Sequence, residues 1–319
     1  MIRIRNNLQS AVCIRPFPLT RHIPVKIKCI MMSEKEAKQT LENIVSDIKM
    51  SGFCVAKDVI PEEKVKAIRE EVLNVSREAF AEIEKEKAKT RAQGHKMSIK
   101  GEHQAKGVIN NTQVFAPYLS HDKVLGVAEA LMGPYARIVF TSVLIKDPRT
   151  ERFYWHDAWP YNQSNAMHIT EPYPDVMMGM TTIWMMTPFN EKTGGTYFIP
   201  GRHRIGNGPS VEGAKGIDIH SPHKTEVQIS GDPGDVLLFD PRVWHAGGVN
   251  YSDEPRIALI IRYVPWWFNL NPARIGTPDH TRMIVETNGK NFDSPAVKRE
   301  VYENLSDDVK PLFHHWVGD

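Results

Sequence analysis

Asp232-Pro233-Gly234-Asp235-Val236-Leu237-Leu238-Phe239-Asp240-Pro241-Arg242-Val243-Trp244-His245 is the stretch on which the fold turns. Proline presets one dihedral and glycine supplies the next, so Asp232 to Asp235 is a tight turn. The short apolar run Val236 to Phe239 behind it reads as a strand. Working outward, the same alternation of β-rich runs and turn clusters fills everything after Gly133. It predicts further strands at Ala136 to Ile145, Arg152 to Trp155, Gly179 to Met186, Thr196 to Ile199, Thr225 to Ile229 and Arg256 to Val264. Short strands with irregular connections imply a jelly roll or closed sandwich, a mainly β protein with flanking helices.

The helices lie before Gly133. A capping box at Ser33 and Glu36 opens a helix carrying Leu41, Ile44, Val45 and Ile48 at helical spacing, and Gly52 stops it. Phe53 to Ile60 then reads as a strand. Pro61, followed by Glu62 and Glu63, starts a long charged helix to about Lys89. Thr90 to Gly107 is polar and aperiodic and reads as a loop, and His121 to Met132 as a short helix. No linker separates these parts. The expected organisation is a basic tail (1–33) and one domain (34–319), divided into N-terminal helices (34–132), β-core (133–270) and a C-terminal extension (271–319).

With 40 basic and 38 acidic residues, the chain lacks the positive field that indiscriminate nucleic-acid binding needs. No apolar run reaches the length of a membrane span. Its three cysteines, Cys13, Cys29 and Cys54, have no metal-site or disulfide spacing and fit a reducing, cytoplasmic setting. The first 33 residues hold Arg3, Arg5, Arg15, Arg21, Lys26 and Lys28 with no acidic residue, which also fits an organelle transit segment. A small molecule is the expected partner, neither nucleic acid nor membrane, and the oligomeric state is not legible.

Two histidines end aromatic-rich segments: His156 in Phe153-Tyr154-Trp155-His156-Asp157-Ala158-Trp159-Pro160-Tyr161, and His245 in Val243-Trp244-His245-Ala246-Gly247-Gly248. A histidine on an apolar strand is as a rule a hydrogen-bonded core residue. Arg256, eleven residues after His245, changes the balance. It opens the apolar run Ile257 to Ile261, where an unpaired guanidinium is costly to bury, so it calls for a carboxylate.

The order Trp155-His156, Trp159-Pro160-Tyr161, Ile183-Trp184, Gly194-Gly195, Pro200-Gly201-Arg202-His203, Gly234-Asp235, Trp244-His245, Asn250 and Arg256 resembles the phytanoyl-CoA dioxygenase family over about residues 50 to 270. The resemblance implies a double-stranded β-helix, a cupin-like jelly roll, that binds iron(II), 2-oxoglutarate and O2. It also implies that His156 and His245 are metal ligands and that Arg256 is the partner of the distal carboxylate of 2-oxoglutarate. Trp184 corresponds to a tryptophan lining the cosubstrate pocket, and Thr141 is a candidate contact to 2-oxoglutarate.

The chain departs from the family pattern at the third ligand. The pattern is His-any-Asp, and here His156-Asp157-Ala158 puts alanine where the aspartate stands, with Asp157 one place too early. Adjacent residues of a strand point to opposite faces, so Asp157 and the ligand position should diverge. Three readings are open. In radical halogenases of the superfamily alanine or glycine replaces the carboxylate, and chloride or bromide takes the vacated iron position. In a hydroxylase, a bulge turns Asp157 inward, or Glu171 or Asp175 serves instead. In a binding or scaffold protein the metal has been lost. A second departure is Gly247, where relatives often carry a serine that helps hold 2-oxoglutarate, so that contact must come from elsewhere. The segment Pro160 to Asp175, rich in polar and aromatic residues, is the expected substrate-contacting loop.

Overall fold

Alternation along the strands sorts the side chains into an inner and an outer set. In a computed structural model, which describes residues 39–92, 101–161, 169, 171–209, 217–286 and 295–318, the strands are β1 (Phe53–Ala56), β2 (Glu102–Lys106), β3 (Arg137–Lys146), β4 (Met180–Met185), β5 (Tyr197–Phe198), β6 (Val227–Gln228), β7 (Val236–Phe239), β8 (His245–Ala246) and β9 (Arg256–Val264). The major sheet has the order β1-β7-β4-β9-β3-β2, and the minor sheet β6-β5-β8. All pairings are antiparallel. His156 joins the edge of the minor sheet through a single antiparallel bridge to His245.

Ile183 and Met185 of β4, Leu237 and Phe239 of β7 and Ala258 of β9 share one apolar cluster with Phe198, Val243 and Ala158. This is the space between the two sheets. The alternate residues Trp184, Val236, Leu238, Ile257, Leu259 and Ile261 belong to the larger cluster that also contains Ile44, Ile48, Val65, Ile68 and Val72. The helices therefore cover the outer face of the major sheet.

Helix α1 is Leu41–Ser51, with the Thr40 hydroxyl accepting from the Asn43 amide. Eleven residues are too few to hold a helix in water. Burying Ile44 and Ile48, each worth about 1.5–3 kcal/mol, supplies what propensity does not. Gly52 ends the helix in the left-handed conformation at φ 95°. Helix α2, Glu62–Ala92, follows Pro61 with two acids in its first turn. Val65, Ile68 and Val72 are its buried stripe.

Several expectations are corrected. Ser33 and Glu36 lie outside the described residues, and the helix they were to open begins only at Leu41, because Thr40 takes the cap. The strand expected to run to Ile60 ends at Ala56. The stretch read as a loop before Gly107 contains β2, whose polar residues Glu102, Gln104 and Lys106 hid its alternation. His121 to Met132 divides into a π-turn (Asp122–Gly126) and α3 (Val127–Met132). Arg152 to Trp155 pairs with no strand, and only His156 bridges. At the C-terminal end, Val297, Val301, Val309, Leu312, Phe313 and Trp316 join the main core. Among the described residues no helix is long and apolar enough to cross a membrane.

Candidate active site

The two histidines meet. Their backbones form a reciprocal pair, each amide donating to the other's carbonyl at 3.0 Å. This register sets the rings side by side with centroids 4.1 Å apart and planes at 49°. Each ring is oriented by its own chain: Nδ1 of His156 lies 3.0 Å from the Tyr154 carbonyl, and Nδ1 of His245 lies 2.9 Å from that of Val243. A carbonyl only accepts, so each Nδ1 carries the proton and each Nε2 keeps its lone pair. Burial pushes the His156 imidazole down to about 4 and that of His245 well below its usual range. Both are therefore neutral near pH 7, the form a metal requires. Phe239 packs 4.8 Å from the His245 ring and Phe153 4.9 Å from that of His156, walling both imidazoles with hydrocarbon.

Ala158 and Asp157 divide as strand geometry demands. Ala158 is buried in the cluster between the sheets with Val243 and Phe239, the latter also packed on the His245 ring. Asp157 points away: its Oδ2 accepts from the Tyr173 hydroxyl at 2.8 Å and lies against Gly208, where an added Cβ would approach it to 2.6 Å. Burial raises this carboxyl to about 6, partly offset by the Tyr173 hydroxyl. The other two acids considered for the third ligand are also engaged elsewhere. Glu171 accepts from the Gly208 amide. Asp175 pairs with Arg242 at 3.0 Å, a guanidinium also clamped by Asp240. Among the described residues no group of three His, Cys, Asp or Glu side chains is placed to hold a metal.

Arg256 opens β9 on its inner face and is buried. One Nη donates to the Gly194 carbonyl, the guanidinium lies 4.5 Å over the Phe189 ring, and its buried Nε has no hydrogen-bond partner. Burial lowers it to about 10. Trp184 and Thr141 do not join it, which corrects the expectation for both. Trp184 is on the outer face of β4, donating its indole N–H to Thr182 at 2.8 Å. Thr141, one residue out of phase with the inner face of β3, accepts from the Ile109 amide and borders a small cavity with Val297, Phe313 and Trp316. Each is a single alternation step from the interior. Asn162, Gln163, Asn165 and His168 of the expected substrate loop lie outside the described residues.

The sequence reading missed two inner cations, Lys146 on β3 and Arg262 on β9. Arg262 stacks 4.6 Å over Phe140, and its charge acts on both imidazoles. Its signal was available: Arg256, Ala258, Ile260 and Arg262 follow the two-residue period of one face.

The model of the family described as phytanoyl-CoA dioxygenase (PhyH) matches residues 48–258, about two thirds of the chain, a span that includes His156, Ala158, His245 and Arg256 but not Arg262. The chain belongs to the phytanoyl-CoA dioxygenase family. Relatives within reach of this assignment include the dioxygenase cdmA of Talaromyces verruculosus, 26% identical over 261 residues that cover 79% of this chain and 81% of the relative. An uncharacterized protein of Mycobacterium tuberculosis is 24% identical over 245 residues, 74% of this chain and 77% of that one. Among solved structures, HygX of Streptomyces hygroscopicus with nickel, 2-oxoglutarate and hygromycin B bound superposes with a TM-score of 0.55 at 14% identity, covering 81% of this chain and 96% of HygX. EctD of S. alaskensis in its apoform gives 0.52 at 19% identity, covering 72% and 79%. These likenesses show the shared jelly-roll fold, and the phytanoyl-CoA dioxygenase membership rests on the family match.

Proposed function

We propose that this family member is an iron(II)- and 2-oxoglutarate-dependent oxidoreductase that acts on an unactivated C–H bond of a small molecule and installs a halide, chloride or bromide. The observation that carries the reading is the pair of adjacent imidazoles, each with its Nδ1 on a backbone carbonyl, with Ala158 in the apolar cluster whose Phe198 and Phe239 pack on the His245 ring and with Asp157 tied to Tyr173. When bound, iron(II) with 2-oxoglutarate and O2 would supply the oxidising strength that breaks such a bond. His156 and His245 would hold the metal, and Arg256 would hold the distal carboxylate of the cosubstrate. The carbonyls of Tyr154 and Val243 keep both rings in the coordinating tautomer, as outer partners of metal ligands do. Ala158 leaves both volume and an unbalanced positive charge where relatives carry a carboxylate. The guanidinium of Arg262 adds to that charge. A small anion answers both deficits.

A second reading, hydroxylation, is favoured by one observation: relatives such as those of Aspergillus fumigatus and Talaromyces verruculosus are named dioxygenases. The two separate in an anaerobic titration of chloride into protein loaded with iron(II) and 2-oxoglutarate. The halide reading expects a saturable change in the visible spectrum that Ala158→Asp abolishes. An invariant spectrum, with succinate still formed in air, would give the site to hydroxylation. Failure to bind metal and to form succinate would leave a binding protein.

A further inference from the structure

Lys146 is as deeply buried as any apolar side chain of the core, at 0% exposure. The antiparallel register of β3 and β9 sets it directly opposite Arg256, and the alternation that turns Arg256 inward turns Lys146 inward too. Two buried cations thus face each other across neighbouring strands. Among the described residues the carboxylate that reaches this pair is Glu102, whose Oε2 is 3.8 Å from Nζ of Lys146. One acid against two bases leaves a net positive charge in a low-dielectric place, a costly arrangement unless an anion completes it.

The ammonium is also held in position. Nζ donates to the Gly248 carbonyl at 2.8 Å and to that of Glu151 at 3.3 Å. These bonds bring it against Gly247, where an added Cβ would stand 3.0 Å from Nζ. Gly247 is two residues beyond His245, so the ammonium rests against the backbone segment that carries the second histidine, on the face it shares with Arg256. The missing side chain at 247 and the lysine that occupies its space are two halves of one arrangement.

We infer that Lys146 is a second cationic anchor for the distal carboxylate of a 2-oxo diacid, gripping with its ammonium what Arg256 grips with its guanidinium. The inference rests on the reading of Arg256 given above and adds that this chain selects a dicarboxylate over a monocarboxylate with two cations instead of one. A lysine acts as a point charge, whereas an arginine fixes orientation, so the two are complementary.

The test compares the affinity of the iron(II)-loaded protein for 2-oxoglutarate and for pyruvate, which lacks the distal carboxylate, by anaerobic calorimetry. Lys146→Met, close in volume and able to stay buried, should weaken 2-oxoglutarate at least tenfold and leave pyruvate unchanged. Lys146→Arg should recover part of the loss. A merely structural lysine would change both ligands alike, and equal losses would overturn the inference. If Arg256→Met weakens 2-oxoglutarate while Lys146→Met does not, Lys146 is excluded and the Arg256 reading stands. If the unmodified protein binds neither acid, both readings fall.

Discussion

An ammonium buried without a full counter-charge leaves a signature in the pH dependence of stability. Burial, and the positive Arg256 beside it, bring Lys146 down to about 8 from an ordinary lysine value near 10.5. Below about pH 8 both the folded and unfolded chains carry the proton, and the folded state bears the full desolvation penalty. Between about 8 and 10.5 the unfolded chain still binds a proton that the folded one has released, so stability rises with pH through this window. Urea denaturation of the ligand-free protein at pH 7 and pH 10 should show this gain, and Lys146→Met should remove that part of it. A wild-type gain no larger than that of the variant would mean that the lysine is not desolvated as described. At the same scale, Ala158 separates the proposed chemistries, because one methyl group in place of a carboxylate alters both charge and room at the metal.

At the scale of the element, the interior depends on places where two chains run closer than side chains permit. Gly195 faces the Ile229 carbonyl, and a Cβ there would stand 2.0 Å from that oxygen. Gly248 in turn lies against the Gly195 carbonyl. Relief requires backbone to move, so Gly195→Ala should cost more than about 1 kcal/mol, and calorimetry should show a melting temperature lower by several degrees. An unchanged melting temperature would show that the minor sheet adapts freely. The sequence made β7 and β9 legible to the residue, because apolar runs bounded by turns state their own limits. β2 was hidden by its polar side chains, which point at other polar groups inside the barrel, as Gln104 does in donating to Ser142 at 3.1 Å. The same cause hid Lys146: a charge at the end of an apolar strand reads as a solvent-facing terminus until the partner strand is known. Trp184 and Thr141 failed for the opposite reason, since matching residue types along the chain does not fix which side of a sheet they occupy. Aromatic flanks and spacing singled out the two histidines and Arg256, and the family resemblance supplied their expected roles, whereas the adjacency of the two imidazoles is a tertiary fact.

For the molecule as a whole, a metal that binds the folded chain and not the unfolded one must raise the unfolding temperature in proportion to the logarithm of its excess over the dissociation constant. Iron(II), or manganese(II) as an air-stable substitute, should therefore raise the melting temperature, and a chelator should reverse the gain. His156→Ala and His245→Ala should each abolish the metal response. Persistence of the full response in either variant would place the ion elsewhere. The way His156 is attached to the fold extends this point. Its neighbours Arg152 to Trp155 belong to no strand, and beside the reciprocal His156–His245 pair the segment is held by scattered backbone bonds, from the Phe153 amide to the Gly247 carbonyl at 2.9 Å and from the Trp155 amide to that of Ile219 at 2.8 Å. An ion shared by the two imidazoles would act as a rivet through that seam, adding coordination to what irregular backbone hydrogen bonds secure. Amide hydrogens on either side of His156 should then exchange with solvent more slowly once metal is added, while those of β9, already sheltered between two strands, should scarcely change.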